Sequence, residues 1–171
     1  MATVTTLTNG AAVALTLDVS SLATSASGLA GVESSQVDDS ASGSIDRVVS
    51  CDGILSNATT GPAVGQNIIV YAWGSDVSLA TTPIDGLDGV TGAATLAHAQ
   101  VLNALKPIAI MAATTTTVGF KYYMAPTSLA QFFGGVLPKF WGLYVTHNQT
   151  AALAAAQAAL FSHYAVTFTT T

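Results

Sequence analysis

The sequence contains very few charged residues. Asp, Glu, Lys and Arg make up only 8% of the 171 residues, against roughly 25% in an ordinary soluble domain. With Lys+Arg 4 and Asp+Glu 9, a net charge of -5, the chain cannot build the basic stripe that neutralises a phosphate backbone. Nucleic acid is therefore excluded as a main ligand.

Cysteine and long apolar runs are also scarce. Cys51 is the only cysteine, which excludes an intrachain disulfide and a metal site built from several cysteines. No apolar run reaches the roughly 20 residues of a membrane-spanning helix, because Lys106, Pro107 and Gln157 interrupt the longest ones. Residues 1–10 lack the basic and apolar regions of a signal peptide. We therefore expect neither a membrane partner nor secretion by that route.

The motifs of the common enzymes are missing too. The sequence has no G-x-S-x-G elbow, no P-loop and no glycine-rich dinucleotide turn. His98, His147 and His163 lack zinc-binding spacing, and we interpret them as residues at the rim of the fold. Cys51 follows two valines at a strand end, a position typical of a small buried hydrophobe. Because nothing supplies a paired acid and base, we predict no catalytic residue, no cofactor and no metal.

Two groups of acidic residues leave one alternative open. Asp38 and Asp39 with Asp46, and Asp85 with Asp88, offer the oxygen ligands that Ca²⁺ takes. Neither group has the twelve-residue loop spacing with a closing Glu. Asp is common in turns because its side chain hydrogen-bonds the nearby backbone. Solvated turns are therefore the favoured interpretation of both.

Small, neutral residues take the place of the missing charge. Hydrophobic residues make up 50% of the chain and the mean hydropathy is +0.54, which excludes classical disorder. Thr, Ser, Ala and Gly then give a weakly hydrated surface with too few charges to interrupt exposed apolar patches. We therefore predict that the chain forms a homo-oligomer or a larger array.

Short segments rich in Thr, Val, Ile and aromatic residues indicate β-structure. Asn9-Gly10 predicts a hairpin between strands at 3–8 and 11–19. Further strands are predicted at residues 45–50, 66–73, 107–113, 118–124, 140–147 and 163–171. The chain is long enough for one domain, and these strands predict a single all-β domain over residues 1–171. The expected fold is an antiparallel β-sandwich, with a jelly roll as the favoured arrangement.

Helices are expected only in connections. Residues 95–105 predict a short helix, and residues 128–133 predict a helical turn that Gly134-Gly135 ends. The alanine-rich segment 151–160 has strong helix propensity, which tertiary context can override. Residues 20–44 are rich in Ser, Gly and Ala with few apolar residues. They indicate either an arm that becomes ordered on a neighbouring subunit or an ordered loop on the same one.

Aromatic residues suggest a second, minority function. Trp73, Trp141, Tyr122, Tyr123 and Tyr144 offer the flat faces that stack on sugar rings, although alternation along strands places them more simply in or beside the core. Burial of both tryptophans would remove the support for a carbohydrate-binding protein.

Three stretches taken in order carry a resemblance: TNGAAVALTLDVSSLATSASGLAGVESSQVDDS, QNIIVYAWGSDVS and FFGGVLPKFWGLYVTHNQTAAL. This arrangement resembles the small structural proteins of tailed bacteriophage virions, of the kind that decorate or cement the capsid. The resemblance implies a β-sandwich that binds the major capsid protein lattice on the outer surface of the virion and stabilises the shell. It also implies assembly as a dimer or trimer, with the trimer preferred. A tail or fibre component, or a carbohydrate-binding head appendage, remains the alternative.

Two parts of the sequence are candidates for the interface. Leu22, Leu29 and Val32 are the spaced apolar residues of the predicted arm. Phe140, Trp141 and Tyr144 lie on the aromatic strand FWGLYVTH, which we expect to form a symmetric contact, with the alanine-rich segment 151–160 as the other possibility.

Overall fold

A computed structural model of the chain describes residues 5–170. Its strands are β1 (Thr5–Asn9), β2 (Val13–Ala14), β3 (Ala30–Glu33), β4 (Val37–Asp38), β5 (Asp46–Leu55), β6 (Asn67–Ser75), β7 (Gly92–Thr95), β8 (Lys106–Ala112), β9 (Lys121–Ser128), β10 (Phe140–His147) and β11 (Phe161–Thr170). One α-helix, α1 (Ala99–Ala104), and one 3-10 helix, Ala130–Phe133, complete the list of these elements.

The strands form two antiparallel sheets. In the five-stranded sheet the order is β1-β11-β5-β9, and β2 also pairs with β11. In the six-stranded sheet the order is β7-β3-β10-β6-β8, and β4 also pairs with β10. The prediction of an all-β antiparallel sandwich is confirmed.

The main core lies between the two sheets. Because side chains alternate across a strand, every second residue of each central strand faces inward. Val49 and Phe161 from the five-stranded sheet are fully buried in one apolar cluster with Ile68 and Leu143 from the six-stranded sheet. This contact joins the two sheets into a sandwich.

A second core lies on the opposite face of the six-stranded sheet. Trp73 and Tyr144 point there, and residues 76–105, which we call the outer cap, cover them. Leu79, Leu87 and Leu96 of the outer cap are each at most 2% exposed. The central strand β10 is therefore buried on both faces, which explains its seven consecutive buried residues, with burial pattern iBBBBBBB.

The predicted N-terminal hairpin is wrong. β1 and β2 do not pair with each other; both pair antiparallel with β11, one after the other along the same edge. The backbone N–H of Gly10 donates to the carbonyl of Ala165 at 2.8 Å, so Asn9-Gly10 continues in the same direction instead of reversing. Because β11 is ten residues long, it can pair with β1 and β2 in succession, whereas a hairpin would pair them only with each other. Residues 3 and 4 of the first predicted strand and residue 171 of the last lie outside the described residues.

The alanine-rich segment 151–160 is not a helix. Ala156 and Ala159 both have φ of 57°, in the left-handed region that interrupts a right-handed helix. Leu153 and Gln157 are instead buried, and the Gln157 side chain donates to the carbonyls of Leu55 at 3.2 Å and Ala154 at 2.8 Å. Tertiary contacts therefore override the helix propensity of alanine here.

Both short connecting helices are confirmed. α1 occupies the later part of the predicted 95–105 segment, and the 3-10 helix is followed by Gly134, whose φ of 73° is the left-handed conformation of a C-terminal cap. Within the described chain, no helix has the length and apolar character that a membrane crossing requires.

Candidate interaction surface

The side chains predicted to form an interface are covered by their own chain. Trp141 and Tyr144 are 0% exposed, and Leu22 and Val32 are at most 9% exposed. Leu29 and Phe140 are half-buried and pack against the core under the outer cap. Four of these residues are therefore core residues, and the other two pack beside a core, so the single chain does not present the six as an exposed surface. The sequence did not show that the opposite sheet covers Trp141 and that the outer cap covers Tyr144.

The segment 20–44 is folded onto its own sandwich. β3 and β4, which lie within it, pair with β10, and the Ser25 N–H donates to the His147 carbonyl at 2.7 Å. The Ser34 side chain also accepts from the Leu143 N–H at 2.9 Å. The segment is ordered on its own subunit in this structure, which is the second of the two alternatives that the sequence left open.

The two tryptophans do not form a sugar-stacking platform. Trp73 is 1% exposed and Trp141 is 0% exposed. Tyr122 and Tyr123 point to opposite sides of β9, the first buried and the second 65% exposed. Both tryptophans are therefore buried, and the carbohydrate-binding hypothesis loses the support that an exposed Trp73 or Trp141 would give it.

In the first acidic group, the carboxylates of Asp39 and Asp46 already have partners within the protein. Asp39 forms a buried ion pair with Arg47 and accepts from the Trp141 indole N–H at 2.6 Å. Burial raises the pKa of Asp39, but hydrogen bonds from Arg47 and Trp141 outweigh it and hold the pKa below its usual value. The Asp46 carboxylate accepts from the Ser128 hydroxyl at 2.5 Å and the Ala130 N–H at 2.8 Å. This group therefore ties segments of the fold together.

Two of the three histidines lie inside the fold, which corrects their assignment to its rim. His147 is 2% exposed, its Nε2 lies 2.8 Å from the Leu22 carbonyl, and burial lowers its pKa. His163 is 6% exposed and packs edge-on against Trp141, with ring centroids 5.2 Å apart. His98 is exposed, 3.9 Å from Asp85. Both internal histidines act as packing residues.

Cys51 is buried, as the sequence indicated. Its side chain is part of the main core, and burial raises the pKa of the thiol to about 11. A thiol in that state is a poor nucleophile at neutral pH. Across residues 5–170, no group of three or more His, Cys, Asp and Glu side chains is arranged to hold a metal ion.

The first and last strands pair with each other beyond the end of β5. β11 pairs with β5 only as far as Val166, and from Val166 to Thr170 it pairs with β1. We call this two-stranded segment, residues 5–9 with 166–170, the ribbon. Every residue of β1 is exposed. Leu7 and Phe168 lie directly opposite each other on one face of the ribbon and are 64% and 60% exposed.

The edges of the ribbon lack the features that usually protect a free strand. Natural edge strands carry charged residues, proline or a bulge that prevents pairing with another chain. The ribbon has none of these: no Asp, Glu, Lys or Arg occurs in residues 1–17 or 140–171, and its register is continuous. Among the described residues, β1 pairs with β11 alone. Its outer edge is therefore available to a further strand.

The predicted hairpin gave β1 the wrong partner, so the ribbon was not predicted. Its signal lay in two similar Thr-rich segments, TVTTLT and VTFTTT. Neither has an apolar face large enough to fold against a core alone, so together they indicate strands that pair with each other at the edge of a sheet.

Comparisons with protein-family models, with curated proteins and with solved structures found no match to this chain.

Proposed function

We propose that this chain is a non-enzymatic structural protein of a tailed bacteriophage virion. Its role is that of a capsid decoration or cement protein, which binds the major capsid protein lattice on the outer surface and stabilises the shell. The sequence resemblance supports this role. So does the neutral composition, because Ser and Thr cost less to desolvate on a large contact area than charged groups do.

The observation that carries the proposal is the pairing of strands along the chain. β1, with β2 as its continuation, pairs with the last strand, β11. The next pairs nest inside in order: β3 with β10, β5 with β9 and β6 with β8. β4 and β7 are short additions to the six-stranded sheet.

A chain folded as one long hairpin and rolled into two sheets has this order. We therefore propose that the sandwich is an eight-stranded jelly roll, the architecture of many viral capsid domains. Because one fold serves many functions, this topology supports a virion role only together with the composition and the resemblance.

The ribbon is the contact we propose for self-assembly. A chain of net charge -5 repels its own copies except where carboxylates are absent, and the ribbon is such a region. In a three-fold ring, the β1 edge of each ribbon would pair antiparallel with the β11 edge of the next. That ring leaves no edge unpaired, whereas a two-fold pair of β1 strands leaves both β11 edges free. A trimer is therefore favoured over a dimer.

The test uses virions made without this protein. We expect them to lose integrity at a lower temperature than wild-type virions and to recover when purified protein is added back. The add-back should saturate at a copy number that follows the capsid lattice. A copy number that follows the tail would support the tail or fibre alternative instead.

A matched control separates binding from folding in the same assay. Add-back of the Val64→Asp variant, which changes a 67% exposed loop residue outside the ribbon, should restore the particles as wild type does. Particles that are equally stable with and without the protein would refute the decoration role.

A further inference from the structure

A buried carboxylate lies beneath the outer cap, apart from the ribbon. Glu33, at the end of β3, is 2% exposed and faces the side of the six-stranded sheet that the outer cap covers. On its two neighbouring strands it pairs with Tyr144 and Gly92. Within residues 5–170, the groups that act on its carboxyl include Asp88 and no basic side chain.

The two oxygens of Glu33 have different surroundings. Oε1 accepts from the Asp88 backbone N–H at 3.2 Å. Oε2 is buried and has no hydrogen-bond partner. An ionised carboxylate oxygen left in this state is costly, so such an atom in a native fold needs a partner.

A cavity of about 150 Å³ opens beside these groups. Glu33 and Asp88 both line it, one at its buried side and one on the exposed turn. Gly86, Thr91 and Gly92 line it as well, so its wall contains peptide groups and one hydroxyl. Asp85, the other acidic residue of this turn, is not among the lining residues.

We infer that this cavity binds a divalent cation, Ca²⁺, through Glu33 and Asp88. Ca²⁺ takes six to eight oxygen ligands in flexible geometry and accepts carboxylates, peptide carbonyls and water together. The two carboxylates match its charge, and the loop oxygens and water complete the ligand set. Mg²⁺ fits less well because it demands a regular octahedron. The bound ion would link the outer cap to β3.

The surroundings of Glu33 support a bound cation. Its Oε2 is buried without a hydrogen-bond partner, and both Glu33 and Asp88 line the cavity. A cation in the cavity would give the buried oxygen a partner and compensate the charge of both carboxylates. The inference concerns the isolated chain and does not depend on a virion role.

The experiment measures CaCl₂ binding to the full chain, first treated with a chelator, by titration calorimetry at pH 8. We expect wild type to bind one Ca²⁺ per chain, and Glu33→Gln and Asp88→Asn to weaken binding about tenfold or more. Asp85→Asn is the matched control, since its carboxylate belongs to the same turn but not to the cavity, and it should bind as wild type does. Tb³⁺ added in place of Ca²⁺ should show luminescence excited through the adjacent Tyr144.

Thermal unfolding shows whether a variant that fails to bind Ca²⁺ is still folded. Without Ca²⁺, Glu33→Gln should unfold at or above the wild-type temperature because it removes a buried charge. CaCl₂ should raise the unfolding temperature of wild type and leave that of Glu33→Gln unchanged. No binding by wild type at Ca²⁺ up to about 10 mM, beyond the weak end of protein Ca²⁺ sites, would overturn the inference. So would equal binding by wild type and Glu33→Gln.

Discussion

The two sheets of the sandwich share one core but differ on their outer faces. The six-stranded sheet has a second core there, in which the outer cap buries Trp73 and Tyr144. The five-stranded sheet has no such cover among residues 5–170, and its strands leave Tyr123, Leu7 and Phe168 at least 60% exposed. The outer face of the six-stranded sheet is therefore covered by the outer cap, whereas the outer face of the five-stranded sheet is exposed to solvent.

This difference indicates that the covered sheet determines the stability of the fold and that the ribbon is the part available for assembly. Residues of the covered sheet, such as Gly142, have no room for change, because a Cβ at that position would meet the Trp73 ring at 2.5 Å. Every residue of β1 in the ribbon is exposed, and so is Phe168 opposite it, so these residues can change without opening a core. Mutations in the first region should unfold the protein, and mutations in the second should change only what it binds.

Replacing one tyrosine in each sheet should give the largest contrast. Tyr144→Ala removes a fully buried ring and its hydrogen bond to the Gly28 carbonyl, which is 3.0 Å long. We expect a loss of about 4 kcal/mol in the free energy of unfolding. Tyr123→Ala removes an exposed ring and should cost less than about 0.5 kcal/mol. Urea denaturation of both variants measures this, and equal losses would break the comparison.

The Asp39–Arg47 pair gives the next largest effect, because it links the two sheets. Arg47 belongs to β5, and Asp39 directly follows β4. Asp39→Ala leaves Arg47 without its charge partner and the Trp141 N–H without its acceptor, so we expect a loss of about 3 kcal/mol. Asp38→Ala, at an exposed neighbour that accepts only from the Ser40 N–H, is the control. Similar unfolding free energies for the two variants would show that the buried pair does not hold the sheets together.

The pH dependence of stability should report on Glu33 beneath the cap. Burial raises the pKa of Glu33 from 4.5, the usual value of an exposed Glu, to about 7 in the folded state, so the folded protein binds more protons than the unfolded chain between these values. In the absence of Ca²⁺, the free energy of unfolding should therefore fall by about 2–3 kcal/mol as the pH rises from 4.5 to 7.

Comparison with Glu33→Gln isolates this contribution. The lowered pKa values of His147 and His163 act in the opposite direction, since stability from these buried neutral rings is lost as the pH falls. They act equally in wild type and in Glu33→Gln, so the difference between the two proteins reports Glu33 alone. Identical pH profiles would show that Glu33 is not held in a buried, protonated state.

The sequence predicted the sandwich because strand signals are local. β6 and β10 are dense in β-branched and aromatic residues, and both strands lie close to their predicted bounds. Pairing depends on contacts far apart in the chain, so Asn9-Gly10 gave a hairpin where both strands join β11. The same limit applies to Trp141 and Tyr144: their residue types predict a contact, but not that the opposite sheet buries Trp141 and the outer cap buries Tyr144. Glu33 had no sequence signal, because its partner Asp88 lies 55 residues away.

The ribbon should show the smallest effect on stability. Leu7→Asp with Phe168→Asp places two charges on exposed positions outside both cores, and we expect the free energy of unfolding measured in urea to change by about 0.5 kcal/mol or less. A matched control, Val64→Asp with Val136→Asp, changes two residues that are 67% and 71% exposed elsewhere. A large loss in the ribbon variant alone would mean that the ribbon supports the fold of the single chain.

Sedimentation of the free protein at micromolar concentration tests most directly whether the chains assemble through the ribbon. Wild type and the Val64→Asp, Val136→Asp control should sediment as closed oligomers of three chains. The Leu7→Asp, Phe168→Asp variant should sediment as a folded monomer, because charges on the ribbon edge prevent strand pairing. A single wild-type species of 17.2 kDa, or a ribbon variant that still forms the oligomer, would contradict the account.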